Sequence, residues 1–158
     1  MNPPRTVMLR LALASEAGAM AEMSRQLIEA GLGWRYTPQR IAALIRQAET
    51  VALVAHDSAG VQGLAVMQFG DEQAHLVLLC VQPALRRGGI GRRLVHWLLQ
   101  SARVAGIHAI DLELRADNCT ALAFYRRLGF AQTQLLPAYY DGRVAAQRMT
   151  LQLYAAET

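Results

Sequence analysis

The run Leu79-Cys80-Val81-Gln82-Pro83-Ala84-Leu85-Arg86-Arg87-Gly88-Gly89-Ile90-Gly91-Arg92-Arg93-Leu94 passes from an apolar strand, through a glycine-rich turn, into an amphipathic helix. A strand feeding a helix in this way calls for a fold that lays helices on a sheet. The turn carries a chemical implication as well. Glycine lets the backbone adopt unusual dihedrals and come close to a ligand. The helix start adds unpaired amides and a partial positive charge. Together they make an anion cradle, best suited to phosphate groups. Arg86, Arg87, Arg92 and Arg93 flank or enter the turn, so the expected ligand is strongly negative.

At 158 residues, 53% of them hydrophobic, the chain can bury one core without staples, and residues 1–158 read as a single domain. The formal net charge is +4, and every basic residue is arginine. Arginine keeps its charge under all working conditions and grips phosphate in a planar fork. The excess suits an anionic cofactor, nucleic acid or a ribosomal surface. Cys80 and Cys119 form no CxxC pattern, and a disulfide framework is not expected. No metal-ligand cluster is visible, and His56, His75, His96 and His108 are scattered enough to read as structural or surface residues. The apolar piece Leu11 to Ser15 is shorter than the ~7–15 residues of a signal core. No uncharged stretch reaches the ~18 residues of a membrane span. The expectation is a cytoplasmic protein without a membrane partner.

Hydrophobic periodicity and turn chemistry give the element order. Thr6 to Ala12 reads as a strand, and a helix capped by Ser15 runs to about Ala30 with Met20, Met23, Leu27 and Ile28 inward. Thr37-Pro38 marks a second helix, with Ile41, Leu44 and Ile45 inward. Thr50 to Ala55 and Val61 to Phe69 read as paired strands across the turn Asp57 to Gly60. Ala74 to Val81 is more continuously apolar, as in the middle of a sheet. The third helix begins around Gly89. Ala109 to Leu114 alternates, with Ile110, Leu112 and Leu114 on one face and Asp111, Glu113 and Arg115 on the other. Asp117 or Asn118 can cap a fourth helix, which Gly129 ends. Strands around Ala131 to Leu135 and Ala145 to Leu153 follow, with Tyr139-Tyr140-Asp141-Gly142 in the bend. The fold class is mixed α+β, one sheet layer covered by helices.

Three phosphate cradles compete. A Walker-type loop needs Gly-Lys followed by Ser or Thr, and the chain has no lysine. A dinucleotide fingerprint needs a third glycine where Leu94 stands, and too little chain follows to complete a doubly wound sheet. The third cradle fits. Arg86-Arg87-Gly88-Gly89-Ile90-Gly91 resembles the acetyl-coenzyme A signature Arg/Gln-x-x-Gly-x-Gly/Ala of the GNAT N-acetyltransferase superfamily. Asn118, Ala121, Tyr125 and Gly129-Phe130 resemble that family's Asn-x-x-Ala-x-x-x-Tyr-x-x-x-Gly-Phe arrangement. The resemblance spans the whole element order and is strongest from Leu76 to Phe130. It implies a GNAT-type acyl-CoA N-acyltransferase fold with a mixed, mostly antiparallel central sheet flanked by helices.

The resemblance also implies a chemistry. The pyrophosphate of acetyl-CoA would rest on amides from Arg87 through Gly88, Gly89, Ile90 and Gly91 to Arg92, with Arg86 nearby. The pantetheine arm would slip between two splayed parallel strands, bonded by backbone groups of Leu79, Cys80 and Val81 and by Asn118. A neutral amine would attack the thioester directly. Glu113 falls on the family's catalytic base and Tyr125 on its general acid. From spacing alone, Tyr125 reads as a core aromatic beside Phe124, and only the motif makes it the acid; Glu113 has an ion pair with Arg115 as its alternative. Cys80 as an acyl nucleophile lacks an assignable activating histidine.

Within the superfamily, Leu112-Glu113-Leu114-Arg115-Ala116-Asp117-Asn118 resembles the bacterial ribosomal-protein N-terminal alanine acetyltransferases. On that resemblance Trp34, Tyr139 and Tyr140 would face the acceptor. Two departures stand out: Val144-Ala145-Ala146 lacks the acidic residue usual before the last strand, and the hairpin bend is short. A protein N-terminus is therefore one acceptor; polyamines, amino acids and aminoglycosides are others. A non-catalytic acyl-CoA sensor on the same fold is a further reading. A nucleic-acid partner ranks last, and a homodimer through edge strands or helices stays open.

Overall fold

A computed structural model of the chain describes residues 6–154. Seven strands form one sheet in the order β1-β2-β3-β4-β5-β7-β6. They are β1 (Met8–Leu11), β2 (Thr50–Asp57), β3 (Gly60–Phe69), β4 (Gln73–Val81), β5 (Ala109–Arg115), β6 (Ala131–Tyr140) and β7 (Val144–Gln152). Four helices, α1 (Ala17–Leu27), α2 (Pro38–Arg46), α3 (Ile90–Val104) and α4 (Cys119–Arg127), cover it. All neighbouring strands run antiparallel except β4 and β5. The α+β order expected from the sequence is the one observed.

Each face of the sheet carries its own apolar layer. Ile90, Leu94, Leu98 and Ala102 of α3 pack with Leu122 and Tyr125 of α4 on Leu53, Met67, Ile110 and Leu112. Met20 and Met23 of α1 and Ile41 and Leu44 of α2 pack on Val54, Leu64, Val66 and Leu78. The periodicities that predicted the helices therefore mark these inward stripes. Thr37 caps α2, its Oγ1 accepting from Arg40 N, with Pro38 at the first helical position. Asn118 caps α4 by accepting from Ala121 N.

Local differences from the expected boundaries have physical causes. The first helix opens with a 3-10 turn, Ala14–Glu16, and Ser15 does not cap it. Glu16 does that work: Oε1 accepts from Leu13 N at 2.8 Å while both carboxylate oxygens bind Arg10. Strand β6 extends to Tyr140, so Tyr139 and Tyr140 end a strand and the bend is Asp141 to Arg143. The strand carries itself past Pro137, which has no N–H to donate, through a register shift between Leu136 and Tyr140, with Ala138 at φ 53°.

One irregularity matters for the rest of the molecule. Met67 pairs with Leu76, but Val66 pairs with Leu78, leaving Val77 as an extra residue in β4. An inserted residue reverses which side chains face which layer. Accordingly Ala74 and Leu76 belong to the α3 layer, whereas Leu78 and Cys80 belong to the α1–α2 layer. Pairing of β4 with β5 ends immediately before this bulge, at His75 opposite Asp111.

The α1–α2 loop is tied down from inside. Glu29 is buried and accepts from Ser24 Oγ at 2.9 Å, Arg35 N at 2.7 Å and Tyr36 N at 3.2 Å. Removing this acceptor strands the buried Ser24 hydroxyl and two partly buried amides. Glu29→Ala is expected to cost about 2–3 kcal/mol, read as a fall in melting temperature of roughly 4–12 °C for a domain of this size. An unchanged melt would show that the loop is held by other contacts.

Candidate active site

Beyond His75 and Asp111 the two central strands separate. Residues 76–81 of β4 remain paired to β3 on one side, and residues 112–115 of β5 remain paired to β7 on the other. Their inner edges face a gap within an otherwise continuous sheet. Such an edge offers backbone donors and acceptors to an extended ligand arm. Leu79, Cys80 and Val81 lie on this edge.

At the mouth of the gap stands the glycine-rich turn. Arg87 and Gly89 adopt left-handed conformations, φ 68° and 83°, before α3 begins at Ile90. The N–H groups of residues 87–92 donate to no acceptor among the described residues. Successive unpaired amides in such a turn form an anion-binding concavity. A Cβ on Gly91 would sit 3.4 Å from Phe124 Cζ and 3.8 Å from Val81 Cγ2, so α3, α4 and the end of β4 meet here. Gly88 is equally confined, 3.3 Å from the Leu85 carbonyl. Arg86 serves the turn itself, its Nε donating to Val81 O at 3.2 Å.

Glu113 projects from β5 on the face opposite Leu112 and Leu114, as its alternation predicts. Its side chain is 10% exposed and fully engaged. Oε2 lies 2.5 Å from His75 Nε2, and Oε1 accepts from Arg148 Nε at 3.0 Å, with Arg148 Nη2 in ion-pair contact at 2.9 Å. Arg148 is the residue directly opposite Glu113 on β7. Burial works against the carboxylate charge. The bonds and charges of His75 and Arg148 outweigh it and hold the group below its ordinary 4.5. The alternative pairing of Glu113 with Arg115 is not what forms: Arg115 Nη2 donates instead to the Ala30 carbonyl. A cavity of about 300 Å³, lined by Gln68, Phe69, His75, Asp111, Glu113 and Arg148, gives this carboxylate a route to solvent.

Tyr125 is almost wholly buried beneath the gap, edge-on to Phe124 at 5.1 Å and to Phe130 at 5.5 Å. Burial, with the added influence of Cys80 and Tyr140, pushes its phenol far above the usual range. It therefore stays a proton donor at any working pH. Cys80 is also buried, which pushes its thiol up to about 12. That value makes it a poor nucleophile.

At the end of β6, Tyr139 and Tyr140 meet edge-on at 5.0 Å. Tyr140 is pushed up to about 12 by burial, with Tyr139 and Glu113 adding to it. Tyr36 is raised by burial, and Tyr139 adds a smaller push in the same direction. Trp34 lies on the α1–α2 loop, 38% exposed beneath Arg25, whose Cζ is 5.1 Å from the ring centroid. The β6–β7 bend docks on this loop. Asp141 accepts from Gly33 N at 2.8 Å, Arg143 donates to Gly31 O at 3.0 Å, and Arg35 approaches Asp141 at 3.7 Å.

Sequence reasoning passed over three of these residues. His75 reads from the sequence as structural or surface like the other histidines, and alternation within β4 places it on the polar side. Arg148 could be found only from the β5–β7 register. Tyr36 follows the helix-breaking glycines and resembled an ordinary loop aromatic.

The geometry can be compared with known proteins. The family profile described as "Acetyltransferase (GNAT) domain" matches residues 20–153. A [Ribosomal protein bS18]-alanine N-acetyltransferase of Escherichia coli (strain K12) is 36% identical over 90 residues, which cover 55% of this chain and 61% of that enzyme. The chain thus aligns in sequence with about three fifths of that relative's length. The crystal structure of the ribosomal-protein-S18-alanine N-acetyltransferase from Escherichia coli superposes with a TM-score of 0.81 at 23% identity, covering 96% of this chain and 97% of that one. Arabidopsis thaliana NAA60 in complex with acetyl-CoA superposes with a TM-score of 0.82 at 15% identity, covering 94% and 99%. With the profile spanning most of its length and the same fold throughout, the chain belongs to the GNAT acetyltransferase family.

Proposed function

We propose that the protein is an acetyl-CoA-dependent N-acetyltransferase that acetylates a primary amine by direct attack, with a protein N-terminus as the acceptor. One observation carries the reading. A gap between β4 and β5, lined by free strand edges, opens onto the unpaired amides of residues 87–92. A diphosphate fits the amides, and an extended amide-bearing arm fits the edges. The relative from Escherichia coli is named as a [Ribosomal protein bS18]-alanine N-acetyltransferase, and NAA60 was crystallised with acetyl-CoA.

Bound acetyl-CoA would supply an acetyl thioester, an activated carbonyl with a thiolate as leaving group. Residues 87–92 hold the phosphates through main-chain N–H groups, with Asn118 and the edge residues Leu79, Cys80 and Val81 orienting the arm. Glu113 takes a proton from the attacking amine onto its carboxylate. His75 and Arg148 fix the orientation of that carboxylate, one on each oxygen. They also keep it ionised, which makes it available at neutral pH and modest in strength. The Tyr125 Oη–H supplies the proton that the departing sulfur needs. The paired presence of Glu113 and Tyr125 favours catalysis over acyl-CoA sensing, since a sensor needs neither.

Removing either proton-transfer group should slow the reaction by about 10²–10⁴-fold. Glu113→Gln and Tyr125→Phe are expected to lower kcat by this amount in a thiol-release assay while leaving acetyl-CoA affinity nearly unchanged by calorimetry. Full turnover in Tyr125→Phe would remove the phenol from the mechanism. Absence of any binding heat for acetyl-CoA would overturn the whole reading.

The pH dependence has a fixed sign. Glu113 is held ionised and Tyr125 stays protonated, so the acceptor amine governs the basic side of the profile. An α-amine has a pKa of about 8. For a peptide acceptor, kcat/KM should rise through roughly pH 7–8 and then level off. A profile still climbing beyond pH 9 would point to an ε-amine, whose pKa is about 10.4.

A further inference from the structure

The charges around the acceptor side are unbalanced. Four carboxylates lie there, and each is committed within the protein. Asp111 lines the same cavity as Glu113 and accepts from Thr150 Oγ1 at 2.6 Å. Glu113 is bound by His75 and Arg148, Glu29 is buried under three donors, and Asp141 holds the Gly33 amide with Arg35 nearby. The guanidiniums are less fully answered. Arg115 and Arg143 are each tethered to a main-chain carbonyl of the α1–α2 loop, Ala30 and Gly31, and neither pairs with a carboxylate among the described residues. Arg40 spreads over the Tyr36 ring at 4.6 Å. The β6–β7 bend, where an acid could offset them, continues into Val144 and Ala145.

Position makes Arg115 the informative member. It follows Glu113 by two residues on the same face of β5, a displacement of roughly 7 Å along a strand. It also stands close enough to Tyr140 to oppose the rise of that phenol. A tethered guanidinium is pre-organised to receive a carboxylate, because little rotamer freedom remains to be lost. An acceptor amine at Glu113 would then present its next side chain toward a fixed positive charge.

Resting on the acetyltransferase reading above, we infer that the acceptor is a peptide N-terminus followed by acidic residues, with Arg115 as the residue that selects them. A basic N-terminal segment meets uncompensated guanidiniums and is repelled; an acidic one is drawn in and held. Like-charge rejection of this kind is an efficient source of specificity.

The test uses the full chain, acetyl-CoA and three matched peptides with N-terminal alanine followed by two glutamates, two glutamines or two arginines. Free glutamate and spermidine complete the panel. The expected order of kcat/KM is acidic, neutral, basic, with about tenfold or more between the extremes, narrowing at high salt as exposed charges are screened. Arg115→Gln should lower kcat/KM for the acidic peptide about tenfold, chiefly through KM. Because Arg115 also holds the α1–α2 loop, a second variant is needed. Val144→Glu adds an acid at the bend and should raise the basic peptide relative to the acidic one. A basic peptide that outruns the acidic one, or an acidic preference indifferent to salt and to both variants, overturns the inference and leaves the acetyltransferase reading intact. Acetylation of free glutamate or spermidine with none of the peptides overturns the inference together with the protein N-terminus as acceptor, and leaves acetyl transfer to an amine standing. No thiol release with any amine overturns both.

Discussion

The central strands of this protein stop pairing because one of them contains an extra residue. Val77 breaks the phase of β4, and from that point its hydrogen-bonding edge no longer matches β5. The cost is a ladder left incomplete in the middle of the sheet, where exposed backbone groups are normally intolerable. The molecule contains it by keeping each strand paired on its far side and by closing α3 and α4 over one face. A glycine-rich turn then finds itself at the open end, with its amides directed at the same place. Binding geometry thus follows from a single irregularity in strand register.

The same divergence explains the setting of Glu113. A carboxylate on the polar face of a central strand would ordinarily be either covered or solvated. Here it lies beside the last paired residue of β4, His75, and across from Arg148 of β7, so three strands contribute to one ionic cluster. Two partners on two oxygens fix its orientation. In the proposed mechanism they also trade basic strength for readiness at neutral pH, a reasonable exchange when the proton comes from an ammonium formed during attack. Tyr125 is the complementary case: an apolar cage of Phe124 and Phe130 preserves its proton.

Much of this was legible in the chain itself. Thr37-Pro38, Asn118 and Gly89 mark three helix starts through capping and turn chemistry, and they stand where expected. Alternation in Ala109–Arg115 places Glu113 on the polar face. What escaped reading depends on pairing between distant segments. The bulge at Val77 hides in a stretch apolar on both faces, which offers no phase to follow. Arg148 meets Glu113 only because β7 inserts between β5 and β6. The extent of β6 was missed because Pro137 resembles a strand end, whereas an outer strand can accommodate proline at a bulge.

That outermost position of β6 has a consequence for how copies of the chain behave together. A long, flat, unprotected margin invites another molecule to add its own strand, the usual first step toward fibrous deposits. This margin is interrupted midway, since Pro137 removes a donor and Ala138 turns the backbone into a left-handed kink. The opposite margin, β1, offers only four residues. A protein that keeps two raw strand edges at its heart for a ligand has made its outer borders hard to zip.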